Sequence, residues 1–411
     1  MRTNHWDFVA LNLAFVALLL ASAPCAHADV VTDANTHAAD IASTLPATPP
    51  AVRAMAIVQV AVFEAVNAIS GRYPSFRVNI KAVRGASIDA AVAAATHVAL
   101  LKLVPAMETA IDADYQAALA LVPDGVAKRD GIADGEQAAA AVVSLRSEDG
   151  MIASDTYRPY AAAGVYVPTT LPAVPHWGRR KPWLMSSGDQ FRPPAPPGLT
   201  SEIWARDFNE SKALGARTST QRTAEQTAIA RFWATTVPAI YWPVARAVAI
   251  TPERDVTDNA RLLAVAAVAM DDAVIAVFDA KYAYNFWRPI TAIRNGDLDG
   301  NDATAREPGW MPLIDTPMHP EYPCAHCIVS AALGAVLEAE LGNGPVPKLS
   351  STSPSAPGMV RTWSSVADFV QEVSAGRIYD GVHFRHSTEV GTAMGKRIGE
   401  LAVKSFPGKP R

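Results

Sequence analysis

Apolar side chains recur along most of this chain at the three-to-four-residue spacing of amphipathic helices, and in several segments they occupy nearly every position. Residues 51–69 (AVRAMAIVQVAVFEAVNAI) are apolar on almost every side, which predicts a helix buried all round, and Pro49 and Pro50 after Thr48 fit its first turn. Further helices are predicted over 87–104, from Pro105 to 121, over the Ala-rich stretch 126–147, over 220–233 behind Ser219, and over 253–283 behind Thr251 and Pro252. The end of the chain adds helices near 326–341, 363–375 and 387–404. No segment alternates convincingly enough to predict a strand ladder, and no repeat is found. The pattern predicts an all-α protein.

Two segments break the pattern. Residues 151–200 hold nine of the 31 prolines together with Trp177 and Trp183, so no helix can run through them. A low-complexity linker is one reading; the aromatics and the lack of Ser/Gly tracts favour an ordered strap laid over the helices. At the N-terminus, Arg2 precedes an uncharged run from Phe8 to Ala23, followed by Ala26-His27-Ala28 and Asp29. This predicts a signal peptide over 1–28, cleaved near Ala28, because the run is shorter than the roughly 20 apolar residues a membrane anchor needs. The mature chain is then expected to be exported, periplasmic or secreted, with no membrane span. Its expected parts are an N-terminal helical region over 29–250 that includes the strap, and a C-terminal region over 251–405 packed on it.

Composition narrows the function. Half the residues are apolar and 18% are charged, and Lys+Arg 36 against Asp+Glu 40 leaves a net charge of −4. No basic excess supports nucleic-acid binding, so the expected partner is a small molecule, with self-association of an apolar helical body open. Three cysteines cannot build a disulfide scaffold; Cys25 falls in the signal segment, leaving Cys324 and Cys327.

Candidate chemistry concentrates in three short segments of the last third. Lys281 and Arg288 are seven residues apart, two helical turns, in KYAYNFWRP. His319-Pro-Glu-Tyr-Pro-Cys324-Ala325-His326-Cys327 leads into an apolar helix whose N-terminus offers free N–H groups to an anion. Arg377-Ile-Tyr-Asp-Gly-Val-His383 again couples an arginine to a histidine. Three cations, a helix N-terminus and two histidines suit a tetrahedral or trigonal-bipyramidal oxyanion, with one histidine attacking or ligating the central atom and the other moving a proton. Two other patterns are weaker. Asp297-Leu-Asp299-Gly-Asn301-Asp302 resembles the start of a calcium loop but lacks its glycine and glutamate, so a turn is expected. His386, three after His383, invites a metal reading but suits a packing histidine better.

These motifs resemble those of the type 2 phosphatidic acid phosphatase/vanadium-dependent haloperoxidase superfamily, whose pattern is K-x6-RP, PSGH and SR-x5-H-x3-D. Here they read K-x6-RP over 281–289, PCAH over 323–326 and GR-x5-H over 376–383, and phrases such as HPEYPCAH look like the soluble exported haloperoxidase-like branch. The resemblance implies a helical-bundle fold of that type. It implies that Lys281, Arg288 and Arg377 hold the oxygens of vanadate or phosphate, with the motif position of Cys324 and the Ala325 N–H as further donors. His383 would be the vanadium ligand, or the phosphorylated nucleophile of a phosphatase, and His326 the acid/base. His319 and Phe278 would line the substrate pocket. The implied activity is vanadate-dependent oxidation of halide by H2O2. The alternative is a soluble acid phosphatase that needs no cofactor, and a non-catalytic helical binding protein is the third reading.

The chain departs from the pattern in three places. Cys324 replaces the motif serine, and with Cys327 it forms a Cys-x-x-Cys that can close a disulfide, remain as two thiols, or serve a thiol oxidoreductase, although no βαβ pattern surrounds it. Ser387 replaces the aspartate that would orient His383, with Asp380 and Glu389 the nearby acids in sequence. Gly376 replaces the serine before Arg377.

Overall fold

A computed structural model describes residues 29–408 apart from positions 237 and 253; the predicted signal segment and Cys25 lie outside the described residues. Thirteen α-helices are described: α1 (Val30–Ala42), α2 (Thr48–Ser70), α3 (Ile88–Leu103), α4 (Glu108–Ala120), α5 (Val126–Leu145), α6 (Glu202–Gly215), α7 (Ala224–Phe232), α8 (Pro238–Ala249), α9 (Val256–Tyr284), α10 (Pro289–Arg294), α11 (Ala325–Leu341), α12 (Val366–Tyr379) and α13 (Arg385–Ser405). The fold is all-α. Its only sheet among the described residues is an antiparallel hairpin of β1 (Leu349–Thr352) and β2 (Val360–Trp363), each too short for alternation to show in sequence.

Two helices form the centre. Every residue of α2 from Ala51 to Asn67 is buried, as is every residue of α9 from Leu262 to Phe278. They pack on one another, and α9 also meets α11 and α13, in a main apolar cluster that runs from Val31 to Phe406, with two smaller clusters beside it. α2 is long and apolar enough to cross a membrane, but 89% of its most apolar window is buried inside the protein.

Several boundaries differ from expectation, and side-chain caps explain two of them. α7 begins after Thr223, whose hydroxyl accepts from the Gln226 N–H, whereas Ser219 accepts from Gln221 and Arg222 in the turn before it. α9 begins after Asp255, which accepts from Thr257 and Asp258, while the Thr251 hydroxyl closes α8 on Val248 O. Helices α1, α6, α8 and α10 were not expected: α8 contains Pro243 and α10 is six residues long.

The Pro-rich stretch is an ordered strap. Trp177 and Trp183 are buried, and Asp272 on α9 accepts the backbone N–H groups of Trp183, Leu184 and Met185 at 2.7, 2.8 and 3.1 Å. Asp299, in the segment that resembles a calcium loop, accepts from Trp204 Nε1 at 2.8 Å and Thr304 Oγ1 at 2.7 Å; it anchors a turn. No group of side chains suited to a metal ion occurs among the described residues.

The approach of α13 to α11 depends on glycine. A Cβ at Gly391, Gly395 or Gly399 would lie 2.7, 2.2 and 2.5 Å from the carbonyl oxygens of Cys324, Ile328 and Ala332. Spaced four apart, these glycines form one stripe that lets the two backbones touch. Gly395→Ala is expected to lower stability by about 1–3 kcal/mol, because overpacking outweighs the gain of up to ~1 kcal/mol in helix propensity. Urea unfolding checks this; an unchanged midpoint would show that the helices separate at little cost.

Candidate active site

The site is assembled from five helix ends. Lys281 lies in the last turn of α9, which stops at Asn285 in the left-handed region (φ 51°). The chain turns there, and Arg288 takes the extended conformation expected before Pro289, at the start of α10. His326 is in the first turn of α11, Arg377 in the last turn of α12, and His383 just before α13. Between Arg377 and His383 the chain reverses at Gly381 (φ 80°), where a Cβ would sit 2.4 Å from Gly215 O.

The fold brings all five residues into one buried cluster: Lys281, Arg288, Arg377, His326 and His383 are 0, 1, 0, 6 and 1% exposed. Lys281 Nζ donates to the carbonyls of Pro320, Glu321 and Pro323 at 2.9, 2.8 and 2.6 Å. All three of its N–H bonds are engaged there, so the expected free ammonium donor is spent on the 320–323 loop. Arg288 donates from Nε to His319 O at 2.9 Å and from Nη1 to Val382 O at 2.8 Å. Its Nη1 lies 3.3 Å from His383 Nε2 and its Nη2 3.0 Å from His319 Nδ1. Arg377 donates to Trp233 O and pairs with Asp380 at 2.6 Å. Its Nε and the Nε2 of His326 are buried without a protein partner.

Burial and mutual repulsion set the electrostatics. Lys281 is held well below its ordinary range by burial and by Arg288, and Arg288 is lowered to about 10, again chiefly by burial. His319, His326 and His383 are all pushed well below 6.5 by burial, with the neighbouring cations adding to it. All three imidazoles are therefore neutral near neutral pH.

His319 and Phe278 also belong to this region. The two rings lie 5.1 Å apart, Phe278 is buried and His319 half-buried. The N–H of Ala325 opens α11 and has no carbonyl four residues back inside the helix.

Cys324 corrects one expectation. It is bonded to Cys327, so its sulfur carries no hydrogen and cannot donate to an anion. Instead the Cys324 Sγ accepts the Cys327 N–H at 3.2 Å and serves as the N-cap of α11. Gly376 has a steric reason: a Cβ there would meet Trp233 at 3.2–3.3 Å. His386 stacks on Tyr322 with the rings 2° from parallel, which makes it a packing residue.

Glu321 went unnoticed in the sequence. Its Oε1 lies 2.7 Å from His383 Nδ1 and accepts the Phe384 N–H at 3.1 Å. Burial raises its carboxyl to about 7 against the pull of Arg288 and Lys281. Of the two acids considered, Asp380 is committed to Arg377 and Glu389 is exposed. The available signal was an acid flanked by two prolines inside the His319–His326 segment.

Residues 261–407 match the family model of the VCPO second helical-bundle domain. The vanadium chloroperoxidase of Curvularia inaequalis is 29% identical over 195 residues, covering 39% of this chain and 31% of that protein, so the match spans less than a third of the relative's length. Among solved structures, a bacterial vanadium-dependent iodoperoxidase superposes with a TM-score of 0.77 at 23% identity, covering 92% of this chain and 96% of the other. The apo form of a bacterial vanadium-dependent chloroperoxidase gives 0.71 at 17% identity, covering 88% and 94%. Residues 261–407 thus match that helical-bundle domain, and the all-α fold of the whole chain is shared with these vanadium-dependent haloperoxidases.

Proposed function

We propose that the protein is a vanadium-dependent haloperoxidase that binds vanadate among Lys281, Arg288, Arg377 and His383 and uses H2O2 to oxidise halide. The observation that carries this reading is the convergence of three buried cations on two neutral histidines, with Arg377 Nε and His326 Nε2 lacking protein partners. Buried cations that repel one another are stabilised by an anion, and guanidinium forks match tetrahedral oxygens. The residues therefore fit vanadate. Bound there, vanadate would supply the electrophilic centre that activates the peroxide.

The protein's own groups would do the rest. Neutral His383 would offer the lone pair of Nε2 to the bound anion. Arg288 and Arg377 hold oxygens through N–H bonds, and the Ala325 N–H adds a donor at the positive end of α11. Lys281 contributes charge while its N–H bonds fix the 320–323 loop. His326, with Nε2 unpartnered, takes up and returns the proton of the incoming oxygen. The half-buried His319 against Phe278 forms the wall that the small substrate meets. The Cys324–Cys327 disulfide keeps both sulfurs from acting as thiols toward peroxide and supports export to an oxidising compartment, with the signal peptide removed near Ala28.

The same residues can run phosphomonoester hydrolysis, with His383 attacking phosphorus and His326 protonating the leaving alkoxide, so the experiment measures both. Purified protein with and without orthovanadate is assayed for monochlorodimedone bromination and p-nitrophenyl phosphate hydrolysis. Vanadate-dependent halide oxidation suppressed by excess phosphate is expected. Metal-free hydrolysis inhibited by vanadate would replace this reading with the phosphatase, and neither activity would defeat both.

A further inference from the structure

Four residues beyond His383, where the superfamily pattern carries an aspartate, this chain has Ser387, whose hydroxyl is 3.5 Å from His383 Nδ1. The nearer partner is the Glu321 carboxylate at 2.7 Å, which comes off the loop before α11. We infer that Glu321 is the positioning residue of His383, holding its ring with the proton on Nδ1 and Nε2 facing the anion.

Both groups are buried, Glu321 at 0% and His383 at 1% exposure, so the contact is shielded from water. The carboxylate is itself fixed: the Glu321 N–H donates to Phe286 O at 2.9 Å, its carbonyl accepts from Lys281, and its Oε1 also accepts the Phe384 N–H. One residue thus ties the lysine through its backbone and the histidine through its side chain. A buried imidazole has two tautomers, and the group that accepts from one nitrogen decides which nitrogen is left with a lone pair. Here the other nitrogen, Nε2, is the one beside Arg288. An aspartate at position 387 would bring a second carboxylate to the same nitrogen in a dry site, where like charges are costly. Serine at that position therefore complements Glu321.

This inference rests on the oxyanion reading of the site, and its test separates the two. Affinity for orthovanadate and for inorganic phosphate is measured by calorimetry for wild type, Glu321→Gln, Ser387→Asp and the double variant, with folding checked by circular dichroism. Each single change is expected to weaken binding about 10–100-fold, the size usual when the partner of a ligating histidine is lost. The double variant, which moves the carboxylate onto α13, is expected to recover at least tenfold over Glu321→Gln. A purely structural Glu321 predicts additive losses instead. Nitrogen NMR of His383 in the wild-type protein, with and without phosphate, should show Nδ1 protonated. The opposite tautomer, a Glu321→Gln variant that binds like wild type, or no recovery in a folded double variant would overturn the inference. If wild type binds neither anion, the oxyanion reading fails, and the tautomer still decides whether Glu321 orients the ring.

Discussion

His383→Ala is expected to lower turnover on the order of a thousandfold or more and to weaken vanadate or phosphate binding, whereas His326→Ala should lose about 10²–10⁴ in turnover and keep the anion. The two histidines have the same charge state but different surroundings. His383 Nε2 lies against Arg288 Nη1, and its other nitrogen is anchored on Glu321, so it is built to hold one direction. His326 Nε2 has no hydrogen-bond partner in the protein, so it is the atom open to an incoming oxygen. Removing the first takes away the ligand or nucleophile and one of the contacts of Arg288; removing the second takes away only the proton carrier. Rates at saturating peroxide and halide, or at saturating phosphoester, are measured beside anion affinity. Loss of binding in His326→Ala with turnover kept in His383→Ala would reverse the assignment.

Most of the site was legible because its residues are chemically unusual in an apolar helical chain and their spacing is fixed by short motifs. Lys281, Arg288, His326, Arg377 and His383 converge because each sits at a helix end. Helix ends are signalled locally, by Pro289, by the apolar run after Cys324, and by Gly381. The buried helices α2 and α9 were legible for the same reason, since apolar side chains on all faces leave no other place for them. Contacts made across long separations were not legible. Glu321 reaches His383 across 62 residues, and only tertiary packing chooses it over the sequence-adjacent Asp380. The disulfide was one of several open readings, because a Cys-x-x-Cys spacing does not say whether both sulfurs turn inward; here Cys324 caps α11 and Cys327 lies on its first turn.

The strap shows the same limit at the scale of the fold, and it carries the second large effect. In the sequence Asp271 is a charge inside an otherwise apolar stretch. In the structure its carboxylate accepts from Arg180 Nη1 at 2.9 Å and from Trp183 Nε1 at 2.9 Å, both on the strap about 90 residues earlier. Arg180 also reaches Asp149 at 2.6 Å, which in turn accepts from Arg53 of α2 at 2.8 Å, and its guanidinium lies 4.5 Å from the Trp177 ring. Arg180, Asp149 and Asp271 have fully buried side chains. Asp271→Ala is therefore expected to destabilise the protein by about 3–5 kcal/mol, because it leaves a buried guanidinium half-paired and unpins the strap from α9. Replacing both partners, Arg180→Leu with Asp271→Ala, should recover part of that loss, since no unpaired charge remains. The same strap touches the site through Ala173, whose carbonyl accepts from Tyr282 at 2.6 Å and whose N–H donates to Met318 O at 2.6 Å. Limited proteolysis should accordingly cut Asp271→Ala within 151–200 under conditions where wild type is resistant, and urea unfolding gives the magnitude. A variant as stable as wild type, with an uncut strap, would mean that the apolar contacts of Trp177 and Trp183 hold this segment without the charges.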